Sequence, residues 1–275
     1  MSIRLDGQVA IVTGAGQGLG RCHALALAER GANVVVNDLG DEHGRSANAE
    51  AVVRAIEEAG GHAIANGANV ADTAQVEDMV RTAIDKWGRV DILINNAGIL
   101  RDKSFLKMSM DDFRLVIDVH LIGTANCTKA VWEIMREQKY GRIVFTTSSS
   151  GLYGNFGQAN YGAAKMAMVG LMNTLHIEGV KYDIRVNCLA PTAGTAMTEG
   201  LMPDRYSSCC RPSPSARPLY SLPDRKRPAA RFSAPVAAAL RSSRASRLTA
   251  CAFCPTSCRR RALPKLGKPL MMNPA

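Results

Sequence analysis

Long apolar runs are missing from this 275-residue chain. None approaches the ~20 residues that a bilayer-spanning helix requires. A charged-then-apolar leader is also missing, and the terminal Asn273-Pro274-Ala275 is not an address of the Ser-Lys-Leu type. The expectation is a soluble cytoplasmic protein that does not engage a membrane. Histidine is scarce, and none follows His176, so Cys251-x-x-Cys254-x-x-x-Cys258 lacks the fourth ligand that zinc demands. Cys209-Cys210 would complete the set only by accident, and no metal is expected. Aromatic residues make up 5% of the chain and do not interleave with Arg259-Arg260-Arg261. That run would attract polyanions without reading them, so no specific nucleic-acid partner is expected.

Other scarcities are local. Residues 205–275 hold one glycine of 24 and one acid, Asp224, against 15 Lys or Arg, ten of the twelve prolines and five of the eight cysteines. The formal charge of +10 is therefore an average over an acidic front part and a strongly basic end. From Tyr206 onward neither helical nor strand periodicity persists, and proline recurs too often for the interior of either. Two organisational units follow: residues 1–204, one folded domain, and residues 205–275, a disordered basic tail. The Arg, Pro, Ala, Ser and Cys mixture is what a shifted reading frame of a GC-rich gene yields; a genuine basic extension is the alternative. Brief trypsin digestion is expected to remove the tail and leave a resistant fragment of roughly 200 residues. A protected C-terminus would overturn the division.

The front part alternates short apolar strands with amphipathic segments, the pattern of a doubly wound parallel α/β sheet. Val9-Ala10-Ile11-Val12 runs into Thr13-Gly14-Ala15-Gly16-Gln17-Gly18-Leu19-Gly20 and then a helix from Arg21 to Arg30. Strand, glycine turn and helix bring backbone N–H groups and a helix N-terminus up to a pyrophosphate. A second strand, Val34-Val35-Val36, ends at Asp38, whose carboxylate can accept bonds from ribose hydroxyls. No Lys or Arg occupies positions 15 to 17 or 37 to 39 to offset that charge, which favours NAD over NADP. Further strands are read at 63–65, 91–94, 142–145 and 184–189, with one long helix from about Asp111 to Gln138. The remaining cysteines, Cys22, Cys127 and Cys188, read as core thiols.

Tyr161 and Lys165 stand four residues apart, one helical turn, with Ser148 thirteen residues upstream. A tyrosine ionises near pH ~10 and is a poor base at neutrality. A neighbouring cation favours the phenolate, and a shift of ~3 units corresponds to ~4 kcal/mol. Lys165, together with a cationic nicotinamide ring, is expected to supply it, while Ser148 positions the reacting oxygen.

Gly14-x-x-x-Gly18-x-Gly20, Asn95-Asn96-Ala97-Gly98, Ser148 and Tyr161-x-x-x-Lys165 together resemble the short-chain dehydrogenase/reductase family over about residues 5–204. Residues 96–105, 153–161 and 190–194 are similar to the (3R)-hydroxyacyl-CoA dehydrogenase domains of multifunctional β-oxidation enzymes. The resemblance implies a Rossmann-like sheet and an NAD-dependent exchange of hydride with a secondary alcohol or ketone: an acyl-CoA, a steroid or a similar small molecule. It implies Ser148, Tyr161 and Lys165 as catalytic residues. Gly14, Gln17, Gly18, Leu19, Gly20, Asp38, Asn69, Val70, Asn96, Ala97, Gly98 and Pro191, with Tyr161 and Lys165, are the implied cofactor contacts. The family places an asparagine where this chain has His120, read here as a satisfied buried polar group. No Gly-Gly pair follows Gly60-Gly61, so the sheet is expected to stop after its sixth strand, without the substrate cover and the usual homo-oligomer surface. A chain that binds NAD without turnover is the second reading.

Overall fold

Valine and isoleucine branch at Cβ, which restricts them in helices and suits them to a pleated surface. In the computed structural model, which describes residues 4–191 and Phe232–Ser233, all six expected strands form: β1 (Val9–Val12), β2 (Asn33–Asn37), β3 (His62–Asn66), β4 (Ile92–Asn95), β5 (Gly141–Thr146) and β6 (Ile184–Leu189). They pair in parallel in the order β3-β2-β1-β4-β5-β6, with Ala10 registered against both Val34 and Ile92. Beside the six strands lies one two-residue bridge, β7 (Phe232–Ser233), which pairs in parallel with Cys188 and Leu189. An edge strand offers unpaired backbone groups, and an extended dipeptide satisfies some of them. The rest of the 205–275 reading lies outside the described residues.

The helices are α1 (Gly18–Ala28), α2 (Ala47–Glu58), α3 (Thr73–Trp87), α4 (Met110–Ile117), α5 (Gly123–Gln138), α6 (Ser149–Tyr153) and α7 (Ala159–Gly179). Their starts carry local signals: Ser46, Asp72 and Ser109 each accept a bond from a backbone N–H in the first turn. Helix α3 stops at Gly88, whose φ of +74° closes the αL cap. Two apolar cores sandwich the sheet. One gathers Val52, Ile56 and Leu27 from α1 and α2; the other gathers Met79, Val80, Val131, Met135, Met168 and Met172 from α3, α5 and α7. On α2 the buried stripe is Ala49, Val52 and Ile56, whereas Ala51 is exposed.

The expected long helix is interrupted. Between α4 and α5 the backbone keeps right-handed helical dihedrals but takes a π turn over Asp118–Ile122, with His120 at its centre. Such turns insert an extra residue into the helical ladder and recur at functional sites.

Asp91 ties the opposite end of the sheet together. It is fully buried, accepts the Val9 N–H at 2.9 Å and receives a two-pronged bond from Arg89 at 2.8 and 2.7 Å. The Arg89 side chain is 47% exposed and can rehydrate, but the Val9 N–H cannot. Asp91→Ala is therefore expected to cost ~1–3 kcal/mol, the penalty of one orphaned buried donor. Asp91→Asn, which keeps an acceptor, should lose less. Urea denaturation midpoints of the two variants would check the ranking.

Candidate active site

The ligand crevice of a doubly wound sheet lies where strand order reverses, here beside β1, with β2 on one side and β4 on the other. A cavity of about 540 Å³ opens there at the C-terminal ends of the strands. Its walls include Gly14, Gln17, Gly18, Leu19, Asp38, Asn69, Val70, Asn96, Ala97, Gly98, Ser148, Tyr161, Lys165 and Pro191. Gly20 is the one residue of the expected site that lies behind this wall. A Cβ there would fall 2.1 Å from the Gly14 carbonyl oxygen and 2.6 Å from Asn96 Nδ2, so Gly20 lets α1 approach the turn.

The glycine turn is braced from below. Gly14 and Gly18 both take positive φ, +60° and +54°, which side chains resist. Asn96 Nδ2 donates to the carbonyls of Thr13 and Gly14 at 3.0 Å each, and Thr13 Oγ1 accepts the N–H groups of Asn96 and Ala97. The Asn96 amide is thus spent on holding the turn against the end of β4. Gly16, which the sequence reading passed over, matters as much. A Cβ on it would sit 1.9 Å from Asp38 Oδ2, and its N–H helps hold that carboxylate. Burial raises the Asp38 pKa, and the Leu39 and Gly16 amides partly offset the rise.

Ser148 ends the loop after β5 and caps α6, accepting the Ser150 N–H at 3.2 Å. Its hydroxyl faces the Tyr161 phenol closely enough to pull that group's pKa down. Lys165 is 2% exposed, and its Nζ donates to the Thr146 carbonyl and lies 5.4 Å from the Tyr161 ring centroid. Burial pushes the Lys165 pKa down to about 7. Lys165 is not among the groups that shift the Tyr161 pKa in the protein alone. Burial holds Tyr161 above its ordinary value, Ser148 pulls it back, and the Asp102 carboxylate pushes it up again.

His120 is 1% exposed and meets the Tyr161 ring edge-on, with centroids 5.2 Å apart. Its Nε2 lies 2.8 Å from the Ile99 carbonyl and 3.1 Å from the Ile99 nitrogen, while Nδ1 finds no partner among the described residues. It is therefore half satisfied, contrary to the expectation. Burial, then the Lys165 charge, push its pKa down to about 3, so the ring is neutral at physiological pH. A Cβ on Gly98 would fall 2.3 Å from this ring, which is why glycine stands there.

Asn155 and Gln158 also line the cavity and were not singled out by sequence. Helical spacing ahead of Tyr161 was the available signal for Gln158; for Asn155 there was none. Three exposed apolar side chains, Phe105, Leu106 and Phe156, belong to the loops that carry Lys103 and Gly157, which are joined by a 2.9 Å backbone bond. Among the described residues there is no cluster of metal-binding side chains and no helix long and apolar enough to cross a membrane.

A family model described as short chain dehydrogenase matches residues 8–205. The peroxisomal multifunctional enzyme type 2 of Drosophila melanogaster is 55% identical over 206 residues, 74% of this chain and 34% of that protein. A short-chain type dehydrogenase/reductase of Mycobacterium tuberculosis is 52% identical over 200 residues, 71% of this chain and 70% of that protein. Among solved structures, a 7α-hydroxysteroid dehydrogenase complexed with NADH and 7-oxo glycochenodeoxycholic acid is similar, with a TM-score of 0.68 at 32% identity, covering 74% of this chain and 78% of that one. The chain spans about a third of the length of the Drosophila relative.

Proposed function

This chain belongs to the short-chain dehydrogenase family, whose members are oxidoreductases using a nicotinamide cofactor, and from that premise we propose that it is an NAD-dependent dehydrogenase of secondary alcohols, 3-hydroxyacyl thioesters foremost. The observation that carries the reading is the continuity of one cavity, from Asp38 past the glycine turn to Ser148, Tyr161 and Lys165. The cradle fits a dinucleotide: at Gly14 a side chain would intrude to within 2.8 Å of the Ala97 backbone, and α1 points its N-terminus at the turn.

Asp38 receives the adenosine ribose hydroxyls, Asn69 and Val70 border the adenine, and the Gly14 to Leu19 turn receives the pyrophosphate. Ala97, Gly98 and Pro191 border the nicotinamide end. When bound, the nicotinamide exchanges hydride with the substrate carbon. Tyr161 takes the hydroxyl proton in oxidation and returns it in reduction, and Ser148 hydrogen-bonds the same oxygen. Lys165 holds ribose hydroxyls beside the tyrosine. The raised Tyr161 pKa gives the pH sense: oxidation, which needs the phenolate, quickens as pH rises, whereas reduction uses the phenol that prevails at neutrality.

Support for an acyl substrate comes from the apolar inner wall of Ile99, Leu100 and Val119, and from the name of the Drosophila relative. That name also says peroxisomal, so the cytoplasmic placement rests on the sequence reading alone. The division into a domain of residues 1–204 and a tail remains part of this proposal.

Titration with both dinucleotides tests the cofactor assignment. NAD is expected to bind at least about tenfold more tightly than NADP, a difference of ~1.4 kcal/mol, and Asp38→Ala should narrow the gap chiefly by improving NADP. Tighter NADP binding by the unaltered chain would sink the Asp38 argument. Binding of NAD with no turnover of any 3-hydroxyacyl thioester or steroid alcohol would favour the binding-only reading instead.

A further inference from the structure

Two amides of the cavity wall, Asn155 and Gln158, form a hydrogen-bonded chain that starts from a carboxylate. Gln158, 5% exposed and just ahead of α7, donates from Nε2 to Asp102 Oδ2 at 2.7 Å. Its Oε1 accepts from Asn155 Nδ2 at 3.0 Å, and its backbone N–H donates to the Asn155 carbonyl at 3.2 Å. The loop that carries Asp102 is fixed to the same helix end twice more. Asn160, fully buried, donates from Nδ2 to the Arg101 carbonyl at 3.2 Å, and the Lys103 N–H donates to the Gly157 carbonyl at 2.9 Å.

The carboxylate gives the chain a direction. A side-chain amide has a donating end and an accepting end, whereas an ionised carboxylate only accepts. Asp102 therefore takes the amino end of Gln158, and the Gln158 carbonyl then takes the amino end of Asn155. The end left over is the side-chain carbonyl oxygen of Asn155, Oδ1, which accepts no bond among the described residues. Asn155 is exposed and lines the same cavity as Ser148 and Tyr161. An acceptor held in one orientation favours a ligand that brings a donor to it over one that brings a second acceptor.

We propose that Asn155 is a specificity-determining residue: Gln158 and Asp102 orient its amide so that Oδ1 accepts a hydrogen bond from an N–H or O–H of the substrate other than the reacting hydroxyl. The proposal rests on the dehydrogenase reading of this cavity and adds a substrate contact to it. In an acyl thioester the donor is an amide N–H of the thiol arm; in a steroid it is a second hydroxyl. Gln158 and Asp102 act through Asn155 and are positioning residues.

The test compares substrates that differ in that donor alone. One pair is the 3-hydroxybutyryl thioester of N-acetylcysteamine and that of O-acetyl mercaptoethanol, which has an ester oxygen in place of the amide N–H. The other pair is a steroid diol and the matching mono-alcohol. NAD-dependent oxidation by the full chain is expected to favour the donor-bearing member of one pair by about tenfold in kcat/KM, expressed in KM. The pair that is discriminated identifies the source of the donor. In Asn155→Ala the preference should fall to within about twofold, and Gln158→Leu, which releases the amide, should do the same. Asp102→Asn, which donates as well as accepts, lets the chain of amides run either way and should lose about threefold of the preference. A preference that survives in Asn155→Ala, or that is absent from the unaltered chain for both pairs, overturns the proposal, even where turnover of both members falls. Equilibrium titration of the same pairs keeps the two readings apart. Preferential binding that Asn155→Ala abolishes, in a chain that oxidises none of the four, supports the contact and refutes the catalytic reading.

Discussion

Tyr161→Phe is expected to lower turnover by on the order of a thousandfold, within the range that a positioned acid-base group contributes. Phenylalanine keeps the ring and its edge-on contact with His120. It removes only the oxygen that faces Ser148 and that the proposed mechanism uses to exchange the proton. Dinucleotide affinity should change far less, because the glycine turn and Asp38, which line the same cavity, are untouched by the substitution. Single-turnover rates with saturating NAD, set beside equilibrium titration, separate the two quantities. Turnover within about tenfold of the unaltered protein would end the assignment of Tyr161.

Gly20→Ala is expected to weaken dinucleotide binding by on the order of a hundredfold, about 2.7 kcal/mol. A Cβ at this position meets the Gly14 carbonyl at 2.1 Å and the Ala15 Cα at 2.8 Å. Both are backbone atoms of the turn, so no side chain can swing aside. Either α1 withdraws or the turn opens, and both remove N–H groups from the cavity wall. Overpacking of this kind also costs about 1–3 kcal/mol of stability. Gly170→Ala is the matched control. Its Cβ meets nothing within 4 Å, and replacing glycine in a helix interior should add up to about 1 kcal/mol. Equal effects at Gly20 and Gly170 on NAD titration and thermal unfolding would refute the packing argument.

Much of the fold was legible because its signals are local. Val9–Val12 and Ile184–Leu189 are copied into strands residue for residue. Parallel strands buried on both faces leave continuous apolar runs that a reader can see. The cavity residues were legible for a related reason, since in such sheets ligands gather at the C-terminal ends of strands, and Gly14, Asn96 and Ser148 all follow one directly. The misses have the opposite character. Gly16 and Gly20 look alike in a glycine-rich turn, yet only the packed structure shows one facing Asp38 and the other supporting the Gly14 carbonyl. Nothing in Ile117 to Gly123 announces a π turn, because its backbone dihedrals differ little from those of an ordinary helix. Asp102 and Gln158 are 56 residues apart, and no periodicity links them.

The sequence by itself determined the parallel sheet, the glycine turn ending in Asp38, and the spacing of Ser148, Tyr161 and Lys165. Those depend on propensity, chain order and one helical turn, all of which act over a few residues. The tertiary structure alone decided the charge balance at the tyrosine. Spacing on a helix placed Lys165 beside the tyrosine, and the fold then turned that ammonium to the Thr146 carbonyl and buried the phenol, which raises its pKa. Electrostatic energies depend on distance and on how much water is excluded, and both are properties of the assembled packing that no stretch of chain carries alone.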